Sequence, residues 1–283
     1  MDIVTLASGL GFTEGPVLMP SGDFAVTSIS HGAVYLVGRG GGSRLLADVG
    51  GGANGAAVDA DGTLYIAQNG GRWARNGPQW PVTSVGGLQV VHPDGSHGWL
   101  TRDPIAPNDL CFGPDGMLYV TDPTRSQAIN DARIWRVNPR DGAAELLRTV
   151  PFFANGIAFD ADDHLYLAST NDARIYRCDV LGGTITEPES IIQLTVGKPD
   201  GMAFDAAGRL VIGAINHGGQ GTIQTWDVAG EPVDTFVPGV GSLFTNLTFD
   251  GRGGLVIAAS DRGEVLHVPA WGDPGLALHP FRG

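Results

Sequence analysis

The sequence predicts an all-β chain folded as a six-bladed β-propeller of four-stranded antiparallel blades. Three observations carry this. A strand–turn–strand signature recurs six times, in segments 14–26, 54–66, 108–120, 155–167, 200–212 and 246–257. Their starts are separated by 40, 54, 47, 45 and 46 residues, and four of these five spacings fall in the 40–50-residue range that blades commonly show. The chain is also rich in turn formers, with 44 Gly and 18 Pro in 283 residues, while 42% hydrophobic content suffices for a sizeable core. All 283 residues are accordingly expected to form one propeller domain.

Each repeat opens with an apolar run, strand A, and turns through an Asp/Gly-rich pair such as Asp61-Gly62 or Asp115-Gly116. It continues into a second apolar run, strand B, such as Leu64-Tyr65-Ile66. In the third repeat the four strands are placed at 109–113, 117–121, 133–137 and 144–149, ordinary strand lengths. Two segments compete to supply the strand that closes the ring. One is the N-terminal run 3–7; the other is the C-terminal run 276–281.

Charge and cysteines narrow the function classes. A net charge of −13 argues against a nucleic-acid or anionic-membrane surface. Cys111 and Cys178 both fall in predicted strands and read as free buried thiols, not as a disulfide framework. No signal peptide or apolar span is visible, so a cytoplasmic location follows by elimination. The expected partner is a small molecule, and the chain a monomer or weak homo-oligomer. Gly50-Gly51-Gly52-Ala53-Asn54-Gly55 fits a dinucleotide-binding pattern, but a strand follows it where a helix N-terminus would have to hold the pyrophosphate.

The chemistry is expected where the strands A begin. Propeller geometry gathers those positions around the axis, and each repeat offers a side-chain oxygen there: Glu14, Asn54, Asn108, Asn155, Asp200 and Asn246. Such a ring suits one divalent cation on the axis, Ca²⁺ first, with Mg²⁺, Mn²⁺ or Zn²⁺ as the alternatives. Connections on the same face would form the substrate wall. The long connection 69–86 offers Arg72, Trp73 and Trp80; Asp122, Phe152 and His217 come from the later blades.

Four motifs, in this order and at blade spacing, carry a resemblance: Phe12-Thr13-Glu14-Gly15-Pro16, Pro107-Asn108-Asp109, Ala154-Asn155-Gly156 and Lys198-Pro199-Asp200-Gly201. The chain resembles the gluconolactonase/regucalcin-like propeller hydrolases over essentially its whole length. The resemblance implies that Glu14, Asn108, Asn155 and Asp200 bind one divalent cation and that Asp200 doubles as the catalytic base. Asn54 and Asn246 have no ligand counterpart there and are expected to line the pocket. The animal members carry an Arg ahead of the Asn-Asp motif; here the stretch is Ile105-Ala106-Pro107, and Asp122-Pro123 looks like the bacterial branch. The function implied is a metal-dependent lactonase. A phosphoesterase or other ester hydrolase, and a ligand-binding propeller with a structural metal, are the alternatives.

Overall fold

The computed structural model describes residues 1–71, 86–123, 131–277 and 279. Among them there is no helix, and six four-stranded antiparallel sheets stand in a ring. Blade 1 comprises Thr13–Leu18, Phe24–Ser28, Ala33–Val37 and Ser43–Asp48, labelled strands A to D from the axis outward. Blade 2 follows with Ala53–Val58, Leu64–Gln68, Gly87–Val91 and His97–Thr101. Blade 3 holds Leu110–Phe112, Leu118–Asp122, Ala132–Val137 and Ala144–Val150, within a residue or two of the sequence expectation. Blade 4 holds Ala154–Phe159, Leu165–Ser169, Arg174–Cys178 and Glu189–Gln193. Blade 5 holds Lys198–Phe204, Leu210–Ile215, Thr222–Trp226 and Pro232–Phe236.

Blade 6 settles the closure. Phe244–Phe249, Leu255–Ala259 and Glu264–Val268 are completed by the N-terminal strand Val4–Ala7, in the register Val4↔His267 and Thr5↔Leu266. The C-terminal run goes elsewhere. Its entrance lies at the A–B turn of blade 5, where Gly275 bridges Asp205 and the Leu276 amide donates to the Phe204 carbonyl. Strand A of each blade touches strand A of the next, and blade 6 touches blade 1.

The core lies between blades. Where strand B carries a Tyr, its ring meets a Phe from strand A of the following blade edge-on: Tyr65–Phe112, Tyr119–Phe159 and Tyr166–Phe204, at 5.5, 4.9 and 4.8 Å between centroids. Hydroxyls in or just after strand B tie three seams, those between blades 1 and 2, 3 and 4, and 4 and 5. Thr27 donates to the Asn54 carbonyl, Thr121 to that of Asn155 at 2.6 Å, and Thr170 to that of Pro199 at 2.9 Å. These bonds fix the backbone at the head of strand A in blades 2, 4 and 5, which is where the expected site lies.

Candidate active site

A β-bulge sits at the head of strand A in blades 1, 2, 4, 5 and 6 and turns the residue there toward the axis. Glu14, Asn54, Asn155 and Asp200 occupy this position and are all buried; Asn108, its counterpart in blade 3, is half-buried. Blade 6 departs from the sequence alignment. Leu247 pairs with Ile257 as Met202 does with Ile212 and Ile157 with Leu167. The position equivalent to Asp200 is therefore Thr245, and Asn246 lies one step farther down the axis.

That lower level is a second tier, which sequence reasoning missed. It holds Gly15, Gly55, Gly156 and Gly201 in four blades, but Asp109 and Asn246 in blades 3 and 6. Blades 3 and 6 are opposite in a six-membered ring. Their two side chains meet, with Asn246 Nδ2 3.5 Å from Asp109 Oδ2. Asp109 also accepts the Leu110 amide at 2.9 Å, and Asn246 Oδ1 accepts that of Leu247 at 2.8 Å. The pair forms a bar beneath the upper ring.

The electrostatics mark the ring as a place for a cation. Burial, then the charges of Asp200 and Asp109, raise the Glu14 carboxyl well above the usual range. Burial pushes Asp109 up to about 7. Both carboxyls are thus unfavourable as bare anions, the condition a bound cation relieves. Asn155 supplies the most direct evidence of fit. Its Nδ2 donates to Thr170 Oγ1 at 2.9 Å, while its Oδ1 is buried without a hydrogen-bond partner. An amide oxygen held in that way is a ready ligand for a hard cation. Among the described residues no three or more His, Cys, Asp or Glu side chains are arranged to hold a metal ion by themselves, so a cation here would rest on carboxylates together with amide oxygens.

The substrate wall is only partly as expected. Asp122 is fully buried and faces inward. Its carboxylate accepts the amides of Ile105 and Ala106 at 3.1 and 2.9 Å and Trp135 Nε1 at 3.1 Å, and pairs with Arg133 at 3.2 Å. It therefore anchors the stretch leading into Asn108 instead of meeting a ligand. Phe152 is likewise not at the mouth: it is 2% exposed and stacks on Tyr176 at 4.3 Å, because the blade 3–4 seam takes its ring. His217 is exposed on the connection between strands B and C of blade 5. Arg72, Trp73 and Trp80 lie outside the described residues.

The model of the SMP-30/gluconolactonase/LRE-like region matches residues 12–260. A gluconolactonase of Zymomonas mobilis is 26% identical over 91% of this chain and 79% of its own length. The structure is similar to that of a Xanthomonas campestris gluconolactonase (TM-score 0.77, 21% identity, covering 97% of this chain and 89% of that one). It is similar too to a calcium-binding protein, regucalcin, from Agrobacterium tumefaciens (TM-score 0.78, 18% identity, 98% and 96%). At those identities the structural likeness speaks for the fold.

Proposed function

The chain belongs to the SMP-30/gluconolactonase/LRE-like family, and from that premise we propose that it is a divalent-cation-dependent hydrolase that opens a small lactone. The observation that carries the metal is the buried, unpartnered Asn155 Oδ1 in a ring with two buried carboxylates, Glu14 and Asp200. With Asn108 these would hold the ion, and because every donor is a hard oxygen the set suits Ca²⁺, Mg²⁺ or Mn²⁺. When bound, the ion supplies Lewis-acid polarisation of the ester carbonyl and a field that favours hydroxide.

The residues of the chain do the rest. Asp200 takes the proton of the attacking water. Thr170 fixes the Asn155 amide so that its oxygen and not its nitrogen faces the ring. The Asp109–Asn246 bar bounds the site from below, so substrate enters from the face of the B–C connections. No basic side chain stands in Ile105-Ala106-Pro107; the connection 69–86 carries Arg72 and Arg75 as candidates for a substrate carboxylate, both outside the described residues.

A panel of sugar, aliphatic and aryl lactones, assayed with metal-stripped and Ca²⁺-saturated protein, tests this. Hydrolysis that appears with Ca²⁺ and vanishes on stripping is expected. Turnover of a lactone by fully stripped protein would reject the metal mechanism. Inertness to the whole panel with the ion bound would reject the lactonase.

A further inference from the structure

Below the Asp109–Asn246 bar, strand A of every blade continues with small or medium side chains: Val17, Ala57, Cys111, Ala158, Ala203 and Thr248. All six line a cavity of about 550 Å³ on the axis. The volume is that of a drug-sized ligand site. Its upper end is the bar. Its lower end is half covered by the C-terminal run, which contributes Gly275, Leu276, Ala277 and His279 from the side of blades 4–6. That cover is held in place: the Ala206 amide donates to the Pro274 carbonyl at 2.8 Å, and His279 pairs with Asp163 at 3.3 Å. On the side of blades 1 and 2 the rim consists of the turn residues Met19, Pro20, Asp59 and Ala60.

We propose that this axial cavity is a second binding site, for an uncharged apolar molecule of aryl or short alkyl character. The wall decides the class. It is mostly apolar, so a water inside would lack the two to four polar partners that hold one in place. An anion is disfavoured by the carboxyl of Asp109 at the inner end, and a cation would leave water for a wall that offers few polar partners. At the inner end the polar groups are already engaged, Asp109 with the Leu110 amide and Asn246 with that of Leu247. The bar also separates this chamber from the ring, so its occupant is not the molecule hydrolysed above. The site stands whether or not the lactonase reading does.

The test uses N-phenyl-1-naphthylamine, a neutral aromatic whose fluorescence rises on leaving water, with the full chain. Saturable one-to-one binding is expected. Ala158→Leu with Ala203→Leu, which fills the wall from two sides, should weaken binding at least tenfold while the far-ultraviolet circular dichroism is kept. Non-saturable binding by the parent overturns the proposal, as does unchanged affinity in the folded double variant. If that variant does not fold, methyl-labelled parent decides. Nuclear Overhauser contacts from the probe's ring protons to the methyls of Ala57, Ala158 and Ala203 support the site; contacts confined to outer-strand methyls overturn it.

Discussion

Removing the cation should destabilise the protein in a pH-dependent way. Three buried carboxyls, Glu14, Asp109 and Asp200, gather at the axis. In the metal-free protein Glu14 is held well above the usual carboxylate range and Asp109 at about 7. An acid with a folded value above its unfolded one keeps its proton in the folded state while the unfolded chain has released it. Stability from such a group is therefore intact below about pH 4, falls as the pH rises, and is fully lost above about pH 7. For Asp109 alone the span from 3.8 to about 7 sets a ceiling of about 4 kcal/mol. At roughly 2–4 °C per kcal/mol for a chain approaching this size, the melting temperature of stripped protein should drop by up to about 16 °C between pH 4 and pH 8. Bound Ca²⁺ neutralises the cluster, removes that slope and adds about 2.7 kcal/mol at a hundredfold excess over its Kd. Scanning fluorimetry of stripped and Ca²⁺-saturated protein at unit pH steps reads the difference directly. A gap between the two curves that is the same at pH 5 and pH 8 would refute the reasoning. Asp109→Asn should narrow the gap at pH 8.

At saturating metal, Asp200→Asn should lower kcat by about 10²–10⁴-fold while binding Ca²⁺ more weakly, whereas Asn155→Asp should tighten the ion and retain the base; parent-like turnover by Asp200→Asn would leave Asp200 a ligand only. Thr170→Val removes the acceptor that orients the Asn155 amide and should weaken Ca²⁺ about tenfold by calorimetry; unchanged affinity would show that the hydroxyl does not set the orientation. Trp80→Ala should change the ranking of lactones by kcat/KM more than it changes Ca²⁺ affinity, and equal loss of both would place the connection 69–86 at the ion.

The fold was legible because its signature is local. An Asp/Gly turn and two short apolar runs recur at blade spacing, and each makes its own hairpin without help from distant residues. Ring closure was not legible. Val4–Ala7 and the run 276–281 are both short and apolar, and what separates them is tertiary: the first pairs with Glu264–Val268, whereas Gly275 and Leu276, at the entrance to the second, bond to Asp205 and Phe204 of blade 5. Asp122 misled for the same reason. A carboxylate after a strand B looks like a pocket group, but its partners Ile105, Ala106, Arg133 and Trp135 come from two other segments. The Asn246 offset, by contrast, had a signal in the sequence. Counting back from the Asp that begins the A–B turn gives 59 to 54, 160 to 155 and 205 to 200, and the same step from Asp250 lands on Thr245. Matching by residue type preferred the amide; matching by spacing gives the residue at the ring.

The dipeptides at the strand heads then take on a different meaning. Glu14-Gly15, Asn54-Gly55, Asn155-Gly156 and Asp200-Gly201 look like turn formers. Yet of these glycines only Gly15 has a positive φ, at 40°, so the left-handed region does not explain the other three. Space does. A Cβ on Gly55 would lie 2.6 Å from the Asp109 Cα, one on Gly201 2.7 Å from Asn246 Nδ2, and one on Gly156 3.0 Å from the Gly201 Cα. Each glycine lets the strand A of the next blade come close, which draws the ring tight enough for oxygens from several blades to reach one ion. The two exceptions, Asn108-Asp109 and Thr245-Asn246, face each other across the axis, and their side chains occupy the room that the glycines of blades 2 and 5 leave open. Four glycines and two polar residues at one level thus divide the axis into a polar chamber above and an apolar one below.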